Sequence, residues 1–581
     1  MQLALLATLL STAPALAATF SVSPAVISND YRGVITLQIG GLTNGESALV
    51  EKFADFNGNG SVDADDFLVQ SLRLTDGVMA TIGGATNWSV PSDLTGPNGA
   101  ITAQLNFARI DIEHTVGSYT FRASNPGRFT NTASFTVTNS AQAQTVSGVV
   151  RSGAASVSRA LVVLLSVTLD YEFSGGTWTD AAGNYSLKTP PGLFAVLALK
   201  SNYVYDFGNP PILAVGTNAN IATNLDLIPA TSLISGKLAD WVTTDGLPGV
   251  FGVCESANGL LAAGWTGPNG EFTLPVTPDL WELEADRPAL ATLGYIGGDQ
   301  GITVDTTAGP VTNLLVQVPK ATAMFYGSVK TETGTPVSGV RLWGGDQPLS
   351  IFESEGLSDA NGNYSIGALA GNWQCGVADA GGLPQNYVFT QGANITLANN
   401  QAIRVDFVAK AATGRISGQV RNLSGSPVGG VGVYCQARIG AADYSTWTET
   451  DVGGNYLVNV ANGSWHVSLD CNSDQGLEGL GYECLPAQIV SVPPTNAVAN
   501  FTVYPIGMPR LDPPAFFSPG QLLFVLHGRP GTNYVVQVST NLANPFGWTT
   551  LTSFTAGGNA TTVWDYTATN RARFYRARIG P

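Results

Sequence analysis

Charge is scarce in this 581-residue chain: Asp, Glu, Lys and Arg together make up 12% of it, about half the usual share of roughly 25%. The charge present leans acidic, 42 acids against 26 bases for a net −16, which argues against nucleic acid or anionic lipid as the main partner. Histidine is scarcer still. His114, His466 and His527 are the whole complement, and they fall in three different expected domains, so they supply neither a zinc triad nor a shared hydrolase site. Gly-x-Ser-x-Gly, Walker and His-Glu-x-x-His patterns are absent from the sequence. A carboxylate pair for glycoside hydrolysis is not excluded by sequence, but small β-sandwiches rarely supply the cleft it needs. The chain is therefore expected not to be an enzyme. Five cysteines are too few for a disulfide framework. Cys254 and Cys435 hold matching places and read as small core residues. Cys471 and Cys484 enclose twelve residues and can close a loop in an oxidising compartment, with Cys375 left over; sequence leaves that pairing open.

Long apolar runs are also missing. After residue 18 none reaches the ~18–20 residues of a membrane span. Met1 to Ala18 does look like a secretory leader, with an apolar stretch Leu3 to Leu10 and a small-residue end, Ala13-Pro-Ala-Leu-Ala-Ala18. The Lys or Arg usual after Met1 is missing, and a buried strand or short helix is the alternative reading. A secreted or bacterial cell-surface protein is expected, its mature form starting near Thr19.

Glycine, by contrast, is plentiful at 68 residues, and its placement is periodic. Four strands end in Gly at Gly148, Gly236, Gly327 and Gly418, spaced 88, 91 and 91. The Gly of an Asp-x-x-Gly-x-Tyr/Phe turn recurs at Gly183, Gly270, Gly362 and Gly454, spaced 87, 92 and 92. An aromatic follows the same rhythm at Phe194, Trp281, Trp373 and Trp465. A period near 90 suits one small sandwich per repeat and is too long for a solenoid or propeller blade. In the turn, Asp180, Asp359 and Asp451 are expected to accept backbone N–H groups while the Gly three residues on supplies positive φ. The second repeat has Gly267-Pro-Asn-Gly270 instead, so its turn must be held differently. The fold class expected is all-β: about six small sandwiches in tandem, each closing its own interior.

The strand-Gly opening, the Pro-x-x-Gly-Val segments (Pro336 to Val340, Pro427 to Val431, loosely Pro248 to Val250) and the Asp turn resemble the carboxypeptidase regulatory-like domain, related to collagen-adhesin B-type (Cna-B) and transthyretin-like sandwiches. The resemblance implies seven-stranded, carbohydrate-binding-like folds used as spacers, stalks or binding modules of exported bacterial proteins. Some Cna-B domains carry Lys–Asn isopeptide bonds, but only two repeats have a lysine near the first strand, Lys237 and Lys330, which argues against such bonds. The expected division is residues 1–18 leader, 19–141 immunoglobulin-like domain with a loop insertion, 142–231, 232–321, 322–412 and 413–507 repeats, and 508–581 a domain resembling fibronectin type III. In that last segment Arg571, Arg573, Arg576 and Arg578 read as a solvated strand edge.

One stretch has definite chemistry. Asp55-Phe-Asn57-Gly-Asn59-Gly60-Ser61-Val62-Asp63-Ala-Asp-Asp66 fits the twelve-residue EF-hand-type calcium loop, with ligands expected from Asp55, Asn57, Asn59, the Ser61 carbonyl, Asp63 and Asp66 around Gly60. Position twelve is Asp rather than the bidentate Glu. The following Phe67 to Leu74 suits a strand as well as an exit helix. Ca2+ is the expected cofactor, held at about 10⁻⁴–10⁻³ M and stiffening the first domain. For partners, glycans or other surface proteins come first. Trp178, Trp265 and Trp447 lie shortly before the turns, where rings can stack on sugars, although Leu357 at the matching place in the third repeat points to a buried face. The function expected is a non-catalytic exported scaffold for adhesion or display, with carbohydrate binding as the alternative.

Overall fold

The computed structural model describes residues 17–167, 171–348, 350–378, 387–473, 476–492, 496–543, 546–569 and 572–580. The expected leader lies outside these residues apart from Ala17 and Ala18. The regular structure of the described residues is almost entirely strand, with short helical turns at Ile112–His114 and Arg287–Thr292. It divides into two compact units, Met1–Asp379 with Gln391–Ala409, and Ala380–Thr390 with Lys410–Pro581.

The recurring landmarks have one mechanical explanation. The first glycine of each repeat lies in the middle of its strand rather than at its end (Gln144–Ser152, Ser232–Asp240, Ala323–Thr331, Gly414–Asn422), beside a parallel strand or bridge that passes close to it. A Cβ on Gly148, Gly236, Gly327 or Gly418 would sit 1.7, 2.0, 1.9 or 1.8 Å from the carbonyl oxygen of Thr223, Leu314, Val405 or Ala499. Only glycine lets the crossing backbone approach so closely. In three repeats the same carbonyl accepts the hydroxyl of the turn's tyrosine: Tyr185 to Thr223 at 2.9 Å, Tyr364 to Val405 at 2.6 Å and Tyr456 to Ala499 at 2.6 Å. The turns form as their sequence predicts. Asp180 Oδ1 accepts the Ala182 and Asn184 N–H groups, and Asp359 Oδ1 those of Asn361 and Asn363. Gly183, Gly270, Gly362 and Gly454 take φ between +70° and +78°. In the second repeat Glu271 replaces the missing Asp, its carboxylate accepting Asn269 N–H at 2.8 Å.

A fourth landmark escaped the sequence reading. Thr179, Thr266, Ser358 and Thr450 are buried, one residue before the turn. Each hydroxyl donates to the Pro-x-x-Gly-Val loop or its counterpart (Val157, Leu247, Val337 and Val428 carbonyls, 2.6–2.9 Å) and accepts an N–H three residues further on. The recurring aromatics Phe194, Trp281, Trp373 and Trp465 are core residues, and so are Cys254, Cys375 and Cys435. Cys471 and Cys484 are disulfide-bonded.

Sandwiches in tandem are present, but their edges are shared. In each repeat the second strand of a hairpin would leave an open edge, a template for unwanted pairing. The preceding stretch of chain closes it. Tyr203–Asp206 pairs with Leu260–Trp265, and Gly297–Gly298 with Phe352–Leu357. Within the second unit, Tyr387–Thr390 pairs with Ala442–Glu449. A single bridge, Val116 to Thr177, does the same for Glu172–Trp178. The expectation of self-contained beads therefore needs correcting: each repeat lends main chain to the next.

In the first unit, the N-terminal sandwich is formed by Thr19–Ser23, Val34–Gly40 and Ile101–Asn106 against Val26–Ser28, Phe129–Thr138, Gly117–Asn125, Ser47–Ala54 and Phe67–Thr75. It touches three repeats. The Pro-x-x-Gly-Val glycines mark two of these contacts: a Cβ on Gly249 would meet the Gln70 backbone at 2.8 Å, and one on Gly339 the Ala108 carbonyl at 2.6 Å. The third is an ion-pair cluster in which Glu172 holds both Arg109 (2.9 Å) and Arg341 (2.8 Å).

Candidate functional site

The predicted calcium loop joins two antiparallel strands, Ser47–Ala54 and Phe67–Thr75, whose last pair is Ala54 with Phe67. Phe67 to Leu74 is thus strand, and the loop is a hairpin connection rather than a helix–loop–helix. Asp55 is buried at its base. Its carboxylate accepts Gly58 N–H at 2.6 Å, Asn59 N–H at 3.3 Å, Gly60 N–H at 2.9 Å and Thr120 Oγ1 at 3.2 Å. Gly58 and Gly60 take φ of +66° and +69°, which lets successive N–H groups turn inward around one acid.

Asn57, Asn59 and Asp63 are brought together: both amides donate to Asp63 Oδ2, at 2.9 and 2.8 Å. Asp66 Oδ2 accepts Asp63 N–H at 2.9 Å. Ser61 takes part through its N–H, which donates to Asn59 Oδ1 at 2.7 Å. The carboxylates of Asp55, Asp63 and Asp66 do not all gather within 4.8 Å of one another. Two observations fit a cation. Asp66 Oδ1 is shielded from solvent with no hydrogen-bond partner among the described residues. Burial, and then repulsion from Asp63, Asp55 and Asp65, pushes the Asp66 carboxyl above its ordinary range. Hydrogen bonds from Asp65 N–H and the two amides hold Asp63 below it. The amide donors occupy the role a divalent ion would take, and turning each amide over would present its oxygen instead.

The loop's flanking aromatics reach two repeats. Phe56 packs edge-on against Trp178 at 5.1 Å and Phe67 against Trp265 at 5.4 Å, and the two tryptophans lie 6.2 Å apart. Arg159 sits 5.2 Å over the Phe56 ring and pairs with Asp65 at 3.2 Å. Trp178 and Trp265 are thus half-buried joint residues, not an open sugar platform. Trp447 is half-buried beside its cross-strand neighbour Tyr434.

An aromatic platform does exist in the C-terminal segment, where sequence reasoning did not place one. Trp564 and Tyr566 project from one face of Ala560–Ala568 with rings 5.6 Å apart and 6° from parallel. Phe517 meets Trp564 edge-on at 5.2 Å. Phe516, Phe517 and Tyr566 are 81%, 68% and 64% exposed. The sequence signal was there: Phe516-Phe517 and Trp564-x-Tyr566 put four rings on the two strands that pair with Gly520–His527. Arg576 and Arg578 are exposed on Phe574–Ile579, an edge strand as expected, whereas Arg573 turns inward. Arg573 pairs with buried Asp565 at 2.7 Å, and Arg576 stacks 4.3 Å over Trp548; Arg571 lies outside the described residues.

No protein-family model matches the chain, and no curated protein does. Solved structures that overlap it include the Bacillus anthracis TIE protein (8% identity over 85% of this chain and 76% of that one, TM-score 0.16). A streptococcal ancillary pilin overlaps at 10% identity over 47% and 99%, TM-score 0.17. A minor pilin of Streptococcus agalactiae does so at 12% over 33% and 99%, TM-score 0.15. Superpositions of that quality carry no argument about what this chain does.

Proposed function

We propose that the chain is an exported, non-catalytic scaffold for adhesion or display at a bacterial surface. In this reading it is built from an immunoglobulin-like domain, four carboxypeptidase regulatory-like repeats and a fibronectin type III-like end, divided as the sequence suggests. The observation that carries this reading is the lending of strands from each repeat to the next. Within each unit such joints replace flexible linkers with paired strand, which suits a rigid structural module. Calcium at Asp55, Asn57, Asn59, Ser61, Asp63 and Asp66 would supply no chemistry beyond charge neutralisation. By fixing Phe56 and Phe67 it would stiffen the contact with Trp178 and Trp265 as well as the domain itself.

The test is calorimetry of the full chain with millimolar calcium or with chelator. At tenfold saturation the expected gain is about 1.4 kcal/mol, lost in Asp66→Asn. An unchanged melting profile removes the calcium part of the proposal. A turnover assay on peptide, ester and glycoside substrates that finds activity abolished by a single substitution would overturn the non-catalytic part. A second reading, carbohydrate binding, is favoured by the Trp564/Tyr566 pair, since parallel rings at the surface suit the apolar face of a sugar ring. Glycan-array binding lost in Trp564→Ala supports it; an array with no binding leaves the scaffold alone.

A further inference from the structure

The first unit holds a partly open cavity of about 420 Å³ that no single domain owns. Its walls are the outer sheet faces of the first three repeats and one flank of the N-terminal sandwich. Val163 and Leu197 come from the first repeat, Phe251 and Leu261 from the second, Leu357 from the third. These side chains offer water no hydrogen bonds, so an organic body suits the space better than solvent. The volume lies within the roughly 300–1,000 Å³ range of small-molecule sites, which favour domain junctions of this kind.

The polar part of the lining is unbalanced. Asp111, Glu113, Asp286 and Glu355 share the lining with Arg109 and Arg341; both arginines are engaged by Glu172, which lies outside the lining, and Arg341 also pairs with Glu355 at 3.5 Å. Asp286 accepts Ala289 N–H at 2.8 Å and makes no ion pair among the described residues. Gln70, itself buried, donates to Glu113 at 2.7 Å while its Oε1 has no partner. Behind Glu113 stands Lys52, buried among four aromatic rings with Nζ 4.6 Å from the Tyr119 centroid.

We infer that this cavity binds a small organic cation, its apolar body held between the sheet faces and its protonated amine directed at the carboxylates of Asp286, Asp111 and Glu113. The amine supplies positive charge to a lining whose two arginines are already engaged by carboxylates. Protonation behaviour agrees. Burial, then the charges of Glu355 and Asp111, pushes the Asp286 carboxyl up to about 7. Burial likewise raises Glu113, with Lys52 opposing. A bound ammonium group relieves both. An anionic ligand would meet two or more carboxylates with no free base to receive it.

Isothermal titration of the full chain with three probes of one shape tests this: 1-naphthylmethylamine, 1-naphthylmethanol and 1-naphthaleneacetate. The amine is expected to bind at least about tenfold more tightly than the alcohol, about 1.4 kcal/mol, and the acetate more weakly than either. Asp286→Asn keeps the helix cap and should lower the amine to the alcohol's affinity. Val163→Trp fills the space and should abolish binding of all three; if it does not fold, Asp286→Asn decides. Absence of binding by any probe, equal affinity of amine and acetate, or an unchanged amine affinity in Asp286→Asn overturns the inference.

Discussion

The first and fourth repeats share the strand glycine, the Asp turn, the core aromatic and the buried threonine, yet differ in what covers their outer sheets. In the fourth, Gly432–Ile439 alternates: Val433, Cys435 and Ala437 face the core while Tyr434, Gln436 and Arg438 face out. In the first, Leu161–Ser166 is apolar at five successive positions, and Val162 and Leu164 face the core while Val163 and Leu165 face the cavity. Gly192–Leu199 behaves the same way against Gly463–Leu469. A sandwich needs only one apolar face per strand; a second is needed only where something else packs on it. The fold is thus common property of the repeats, and the neighbours are written into the face that the fold does not use.

A matched pair of substitutions puts most strain on that comparison. Val163 and Tyr434 occupy the same place in their repeats, 4% and 42% exposed. Val163→Asp buries a carboxylate with no partner and should cost about 3–5 kcal/mol. Tyr434→Asp should cost under about 1 kcal/mol. Calorimetry of the two variants reads both. Equal losses would mean that the first repeat's outer face is not covered in solution.

Titration should separate two buried acids of opposite sign. Asp286, raised to about 7 in the folded chain, binds its proton more tightly there than when unfolded. Its contribution is therefore complete below the unfolded value near 3.8 and is lost as pH rises toward 7. Asp565, in the C-terminal segment, is buried as well, but hydrogen bonds from Tyr575 and Thr567 and the charge of Arg573 outweigh burial and hold it low. Its contribution is present above the ordinary carboxylate range and is lost as pH falls. The unfolding free energy of the wild type minus that of Asp286→Asn, compared between pH 4.5 and 7.5, should show a relative loss of about 3 kcal/mol at the higher pH. No difference would place Asp286 in contact with bulk water.

What sequence disclosed and what it hid follow from the range of each interaction. Turn glycines, Asx turns and the Asp55–Asp66 loop are local, so residue type and spacing within a dozen positions identify them. The buried Thr179, Thr266, Ser358 and Thr450 were equally local and equally periodic, but a lone hydroxyl carries no chemical emphasis on the page. The cavity was beyond reach because Gln70, Asp111, Val163, Asp286 and Glu355 meet only after four domains pack. Its one local trace was the unbroken apolar run Leu161 to Leu165, where a half-exposed strand would have alternated. The aromatic platform was missed because attention went to tryptophans with a period, and Trp564 has none.

The smallest expected effect bears on what the repeats share. Three carbonyls that press on the first glycine also receive a tyrosine hydroxyl, whereas the second repeat places Phe272 there and crosses the same strand over Gly236 without one. The close approach of main chain is thus achieved with or without the hydroxyl, so the bond is a latch on a geometry that packing already sets. Tyr364→Phe should then cost about 0.5–1.5 kcal/mol, the net worth of one buried hydrogen bond, and leave the far-ultraviolet spectrum and the other transitions unmoved. Urea unfolding measures it. A loss above about 3 kcal/mol would mean that the hydroxyl, rather than glycine and the surrounding core, positions the crossing strand, and the second repeat would then need a substitute that its sequence does not contain.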